Sequence, residues 1–403
     1  MQRRDLVRLL AAAPLAGAAG RLIAAPAAGH ARLLVVFLRG AYDCASLLVP
    51  VASDFYRASR PNIAIARPGE PGGALPIDAA WGLHPVLASS VMPLFESKQA
   101  AFIAFAGTDD LTRSHFETQD SIELGQPLDQ GRDYRSGFLN RLAAVLGAGP
   151  SIGVAPIAFT DELPISLRGD AKAANMALAS VGRPSVDARQ SQVIEAMYRH
   201  TALAQPVAEG FQVRDEVQRA VKDEMDAASR NAMTARGFER VARRMARLMR
   251  ENFDLGFVDV GGWDTHVGQG AAAGYLANRL DELGRGVAGF AEEMGPEAWR
   301  DTVVVVISEF GRTFRENGNR GTDHGHGTVY WVLGGGLAAQ AGGRVVGEQV
   351  EVSQPNLFQN RDYPVLNEYR AVFGGLFQRM YGLSPAQLDR VFARVTPKDL
   401  KLI

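Results

Sequence analysis

The chain has 403 residues, 47% of them hydrophobic, and is long enough for one large α/β domain or two. Its 43 Lys and Arg nearly balance 44 Asp and Glu, giving a net charge of -1, so nothing in the charge balance points to nucleic acid as a partner. The single cysteine, Cys44, excludes an internal disulfide framework and a zinc–thiolate cluster.

Residues 1–31 read as an export signal. Arg3-Arg4, followed by Asp5, Leu6 and Val7, resembles the twin-arginine class. The apolar stretch from Leu9 to Ala19 is too short, and too broken by Pro14 and Gly17, for a membrane span. The expectation is a periplasmic or otherwise exported protein, delivered by the twin-arginine machinery and cleaved near Ala28 or Ala31. The mature chain would have no transmembrane span, and residues 32–403 would form one α/β domain.

The mature chain opens on a buried strand, Leu33–Leu38, which ends in the polar tip Arg39-Gly40-Ala41-Tyr42-Asp43. Residues 61–76 are rich in Pro and Gly and read as loop. Pro85 opens a predicted helix to about Lys98, and Ala101–Ala106 is the next strand. It runs into a polar loop holding Arg113, Ser114 and His115. A helix over 136–146 and a strand over 152–159 follow. Residues 190–252 are helical and charged, an excursion expected to cover one side of the sheet with a solvated face. Then come a strand at 257–260, the tip Gly262-Trp263-Asp264-Thr265-His266, and a helix over 271–294.

The run Val303–Ile307 is continuous and β-branched, as expected of a strand buried on both faces of a parallel sheet. It stops at Ser308-Glu309-Phe310-Gly311-Arg312. A turn-rich loop then carries Asp323-His324-Gly325-His326, and Val329–Leu333 re-enters the core. Helices are predicted at 367–381 and 385–394. Strands alternating with helices predict a doubly wound, mostly parallel sheet flanked by helices.

Four strand ends thus carry Asp43, Ser114 with His115, Asp264 with His266, and Glu309 followed by Asp323, His324 and His326. Ligands bind at the carboxyl ends of strands in such sheets. Carboxylates and imidazoles together suit zinc, manganese or another divalent ion, one or two of them. Asp264 and His266, like His324 and His326, are two apart, so in extended chain each pair points to one side. Blander readings exist for each element. Asp264-Thr265-His266 suits a helix N-cap, Ser114 a cap or turn, and Glu309 with Arg312 an ion pair closing a strand end.

The segments LRGAYD, RSHFETQD, GGWDTH, SEFGRT and TDHGHG, in this order, resemble an exported bacterial family of the domain of unknown function 1501 type, grouped with the alkaline phosphatase and sulfatase superfamily. The resemblance implies an alkaline phosphatase-like fold with metal ligands on the strand tips. Asp43 is similar in position to the superfamily's first metal-binding aspartate, and Ser114 to its nucleophile. Asp264 and His266 resemble ligands of the other metal, and His324 or His326 the late histidine ligand. Phe310 stands where many members keep a histidine, so a second metal would depend on Asp323 or His324. Cys44 lacks the Cys-x-Pro-x-Arg context that sulfatases convert to formylglycine.

These readings predict a metal-dependent hydrolase of phosphate or sulfate esters acting on a small-molecule or cell-envelope substrate. Ser114 would be the nucleophile, Arg312 or Arg113 would steady the anionic charge, and Asp43, Asp264, His266, Glu309, Asp323, His324 and His326 would hold metal. The alternative is a non-catalytic binding or assembly protein that retains the fold and a partial metal site.

Overall fold

The computed structural model describes residues 31–148, 154–178 and 237–403, with a few positions between 196 and 207. The predicted signal and most of the predicted helical excursion lie outside these residues. The strands are β1 (Arg32–Leu38), β2 (Leu48–Pro50), β3 (Leu75–Pro76), β4 (Trp81–Leu83), β5 (Ala100–Gly107), β6 (Pro156–Ala158), β7 (Ala174–Asn175), β8 (Leu255–Val260), β9 (Thr302–Ser308), β10 (Thr328–Leu333), β11 (Val345–Val346) and β12 (Asn367–Glu368).

Nine of them form the main sheet, in the order β11-β5-β10-β9-β1-β8-β6-β7, with β12 also on β5. Every pairing is parallel except the two that β10 makes, with β5 and with β9. Since β10 runs against both, β5 and β9 point the same way, and so do β1 and β8. Leu38 pairs with both Val260 and Ser308, so three strand tips end at one level. The loop before β10 arrives at that same edge because β10 starts there.

Period-two alternation sorts the core to the two faces. Leu34, Val36 and Leu38 of β1 share one cluster with Val304 and Val306 of β9, against helices Phe238–Glu251 and Tyr275–Arg300. Leu33, Val35 and Phe37 share the other with Val303, Val305 and Ile307, against helices Phe138–Gly147, Tyr369–Tyr381 and Pro385–Val391. The sheet is therefore largely parallel, central and flanked by helices, as its continuous apolar runs require. Among the described residues no helix is long and apolar enough to cross a membrane.

One predicted element is broken. Pro85 to Lys98 is a short 3₁₀ turn, Pro85–Leu87, followed by a separate helix, Val91–Glu96. Pro93 has no N–H to give and its ring crowds the carbonyl of Ser89, so one helix cannot run through this stretch.

Candidate metal centre

Three loops at the shared edge bring side chains to one point. His115 is the first residue of the helix His115–Leu124, Asp264 and His266 follow β8, and His324 precedes β10. His115 Nε2 lies 2.9 Å from His324 Nε2, and His266 Nε2 lies 3.2 Å from the same atom. Asp264 Oδ1 is 2.9 Å from His266 Nε2 and 3.5 Å from His324 Nε2, while Oδ2 is 3.6 Å from His115 Nε2. The ligand atoms of His115, Asp264 and His324 all lie within 4.8 Å of one another.

The partners of the opposite ring nitrogens decide what those Nε2 atoms carry. His115 Nδ1 is 2.8 Å from the Glu309 carboxylate, and His266 Nδ1 is 3.0 Å from that of Asp323. His324 Nδ1 is 3.0 Å from the Arg113 carbonyl. Carboxylates and carbonyls only accept, so a proton on Nδ1 suits His115 and His324 and leaves the Nε2 of each neutral ring a lone pair, whereas His266 has a carboxylate at both nitrogens, Asp323 at 3.0 Å and Asp264 at 2.9 Å. Two Nε2 lone pairs, of His115 and His324, thus face each other and the Asp264 carboxylate, with His266 beside His324 and Asp264. Protons on the Nε2 atoms of His115 and His266 satisfy these contacts without a cation. A divalent ion held by His115, His324 and Asp264 satisfies them as well. Nitrogens sharing a tetrahedral zinc at about 2.0–2.1 Å sit about 3.3 Å apart, close to the separations seen. The donor set therefore fits such an ion, and behind each imidazole stands an acceptor of the kind that fixes metal-binding rings.

The surroundings tune the rings. The Glu309 hydrogen bond holds the His115 imidazole above its ordinary value, whereas burial and the neighbouring His115 push His324 down. Burial alone would raise Glu309, but hydrogen bonds from His115 and Gln119 more than offset it and leave the carboxyl below its usual range. Glu309 Oε1 also accepts from the Gly40 N–H at 2.7 Å. His115, Gln119 and Glu123 are spaced four apart, so one helix face meets the strand tips. Gln119 donates to Glu309 at 2.8 Å, and Glu123 pairs with Arg39 at 2.7 Å.

Several residues expected at the centre stand elsewhere. Asp43 is buried 17 positions in sequence from its partner Arg60, whose guanidinium reaches both carboxylate oxygens, at 2.5 and 3.0 Å. Gln269 and Ser46 donate to it at 2.7 Å each, so its acceptor capacity is taken by protein groups. His326 does not accompany His324. Its ring is buried beside Phe358, with centroids 4.8 Å apart, and burial pushes its pKa down to about 4. Glu309 and Asp323 are present as orienting groups behind His115 and His266. Phe310 stacks on His115 at 5.0 Å and so walls the centre.

Of the two residues expected to act on substrate, Ser114 caps its helix through a long 3.5 Å contact with the Glu117 N–H and is half-buried. Arg312 is buried and donates to Asp264 Oδ1 at 2.5 Å, to Thr322 Oγ1 at 3.2 Å, and to the Thr322 carbonyl. It orients a ligand rather than facing solvent. Arg113, the other candidate, pairs with Asp362 at 2.9 Å and Gln359 at 2.7 Å. His115 received no ligand role from its sequence, where Ser114 drew the attention. The spacing of His115, Gln119 and Glu123 on one helix face was the available signal.

A family model described as "Protein of unknown function (DUF1501)" matches residues 30–392. No curated protein matches the chain.

Proposed function

We propose, for a chain that belongs to the DUF1501 family of proteins of unknown function, that it is an exported hydrolase of a phosphate or sulfate ester dependent on one divalent ion, zinc or manganese. The observation that carries this reading is the convergence of three Nε2 atoms on Asp264, each ring fixed from behind by an acceptor. The earlier resemblance to the alkaline phosphatase and sulfatase superfamily supports the reaction class and the fold assignment. When bound, such an ion polarises an ester and lowers the pKa of a coordinated water.

The chain's own residues divide the remaining work. His115, His266, His324 and Asp264 hold the ion. Glu309, Asp323 and the Arg113 carbonyl aim the rings, and Arg312 aims Asp264. Ser114 adjoins His115, and its weak cap contact leaves the hydroxyl available as a nucleophile. A second ion is not part of this reading, because Arg60 supplies the cation that Asp43 needs.

The test is elemental analysis of the purified full chain together with a panel of phosphomonoester, phosphodiester and sulfate ester substrates. A single equivalent of divalent metal and turnover that Ser114→Ala abolishes are expected. Turnover unchanged in Ser114→Ala removes the nucleophile role, and absence of metal removes the reading altogether. A second reading, a non-catalytic binding or assembly protein, is favoured by the commitment of Arg312 and Arg113 to protein partners. Bound metal without turnover on any ester would support it. Export is tested separately: Arg3→Lys with Arg4→Lys should leave precursor in the cytoplasm, and normal export of that variant excludes the twin-arginine route.

A further inference from the structure

Arg113 meets the rest of the fold at two points. Its main-chain carbonyl stands 3.0 Å from His324 Nδ1. Its guanidinium grips the Asp362 carboxylate, with Nε at 3.1 Å and Nη2 at 2.9 Å from Oδ2, and Nη2 also donates to Gln359 Oε1 at 2.7 Å. The Arg113 φ of 53° lies in the left-handed region, which a residue with a Cβ keeps only when its surroundings hold it there.

The partner is firmly placed. Asp362 is fully buried, and its backbone exchanges hydrogen bonds with Phe358 at 2.8 and 3.1 Å. Its neighbours join it to the chain around the centre. Arg361 accepts from the Phe314 N–H at 3.0 Å, two residues beyond Arg312, and Tyr363 accepts from the Gly327 N–H at 2.8 Å, three residues beyond His324. The loop of residues 108–114 is tied differently. Among the described residues its other side-chain hydrogen bonds stay within the loop or run to the helix it enters, as from the Thr112 N–H to Asp110 Oδ1 at 2.8 Å and between the hydroxyls of Thr112 and Thr118 at 3.4 Å. Arg113 is the side chain that fastens this loop to the body carrying His324.

Resting on the metal-centre reading above, we infer that Asp362 is a positioning residue of that centre. By holding the guanidinium it keeps Arg113 left-handed with its carbonyl on His324 Nδ1, and so fixes the direction in which His324 presents Nε2. The same grip sets the loop that delivers Ser114 and His115. A buried ion pair often adds little net stability over apolar groups of the same size, and what this one supplies is a fixed geometry.

The experiment compares Arg113→Met, Asp362→Asn and the double variant with the parent full chain. Zinc affinity is measured by competition with a chelator, ligand geometry by the visible absorption of the cobalt-substituted protein, and stability by urea denaturation. Arg113→Met keeps the carbonyl and removes the grip. Each single variant is expected to bind zinc about tenfold more weakly, as when orienting partners are lost, and to shift the cobalt spectrum. The double variant should lose no more than either single one, because both ends serve one clamp. Parental zinc affinity and cobalt spectrum in Arg113→Met overturn the inference and leave the metal reading standing, even where the urea midpoint falls, since the pair is then merely structural. Losses that add in the double variant also overturn it, because the two residues then act separately. If Asp362→Asn does not fold, Arg113→Met at the more exposed end of the pair still decides. A parent that binds no zinc overturns this inference and the metal reading together.

Discussion

His324 and His326 are equivalent in sequence, two residues apart in an extended segment, yet only one faces the centre. His324 is held there by the Arg113 carbonyl, and Arg113 itself has a φ of 53°, the left-handed region that non-glycine residues seldom occupy. His326 turns to Phe358 and stays neutral at physiological pH because burial pushes its pKa down to about 4. The two therefore separate by experiment. His115→Ala, which removes a converging Nε2, should abolish metal retention with little change in fold. His326→Ala should keep its metal and lose about 1–3 kcal/mol of stability as a core truncation. Metal content by elemental analysis and a urea denaturation curve read both effects. Retained metal in His115→Ala, or lost metal in His326→Ala, would reverse the two assignments. Residue chemistry was thus legible as a type of site, carboxylates and imidazoles on strand tips. Which histidines converge was not, because period two fixes a side of the chain and not the partner it meets.

At the level of elements, the strands were legible and their polar ends were legible with them. Val303–Ile307 and Leu33–Leu38 have the continuous apolar runs that burial on both faces demands, and they pair directly in register. Less visible was how the tips fit together. Gly40, in the turn after β1, has a φ of +115°, and a Cβ built there would come within 2.8 Å of the Asp264 backbone nitrogen. The same residue gives its N–H to Glu309. A glycine at this position thus lets the β1 tip close against the ligand loop and the orienting carboxylate together. Gly40→Ala should push the Asp264 loop outward and disturb Glu309, lowering metal affinity about tenfold to a hundredfold, the range seen when orienting partners are lost. Competition with a chelator measures this. Unchanged affinity would mean that the loop positions Asp264 without the β1 tip. The broken helix between Pro85 and Glu96 is the converse case, since Pro93 was plain in the sequence and its effect on the preceding turn follows from covalent geometry.

On the scale of the whole molecule, the buried pair Asp43–Arg60 joins segments that no local pattern connects. Arg60 also donates to the carbonyls of Thr313 at 3.1 Å and Phe314 at 2.6 Å, beyond β9, and Gln269 links Asp43 to the loop before the long helix. Gln269 in turn accepts from Thr322 at 3.1 Å, whose hydroxyl meets Arg312, the partner of Asp264. A continuous hydrogen-bonded path therefore runs from the buried pair to the metal centre. Burial raises the Asp43 carboxyl, but Arg60 and the donated hydrogen bonds more than offset it and hold the pKa below its ordinary value. A carboxyl depressed on folding contributes stability that is complete above its unfolded value, about 3.9, and is lost as pH falls below that through the folded value. Arg60→Met removes the largest part of the offset and leaves burial opposed only by the Gln269 and Ser46 hydrogen bonds, so the folded pKa rises. The sign then inverts: the Asp43 contribution is least unfavourable when protonated and worsens as pH rises through the raised value. At neutral pH the variant should lose about 3–5 kcal/mol, the cost of an uncompensated buried charge. Adding Asp43→Leu should recover much of that loss, since both charges are then gone. Urea denaturation between about pH 4 and 7, compared as variant minus parent so that Glu309, Asp264 and Asp323 cancel, gives the slope attributable to Asp43. A negative difference that deepens with rising pH is the expected result. A difference flat in pH would mean that Asp43 stays charged without Arg60, held by Gln269 and Ser46 or by a cation in place of the guanidinium.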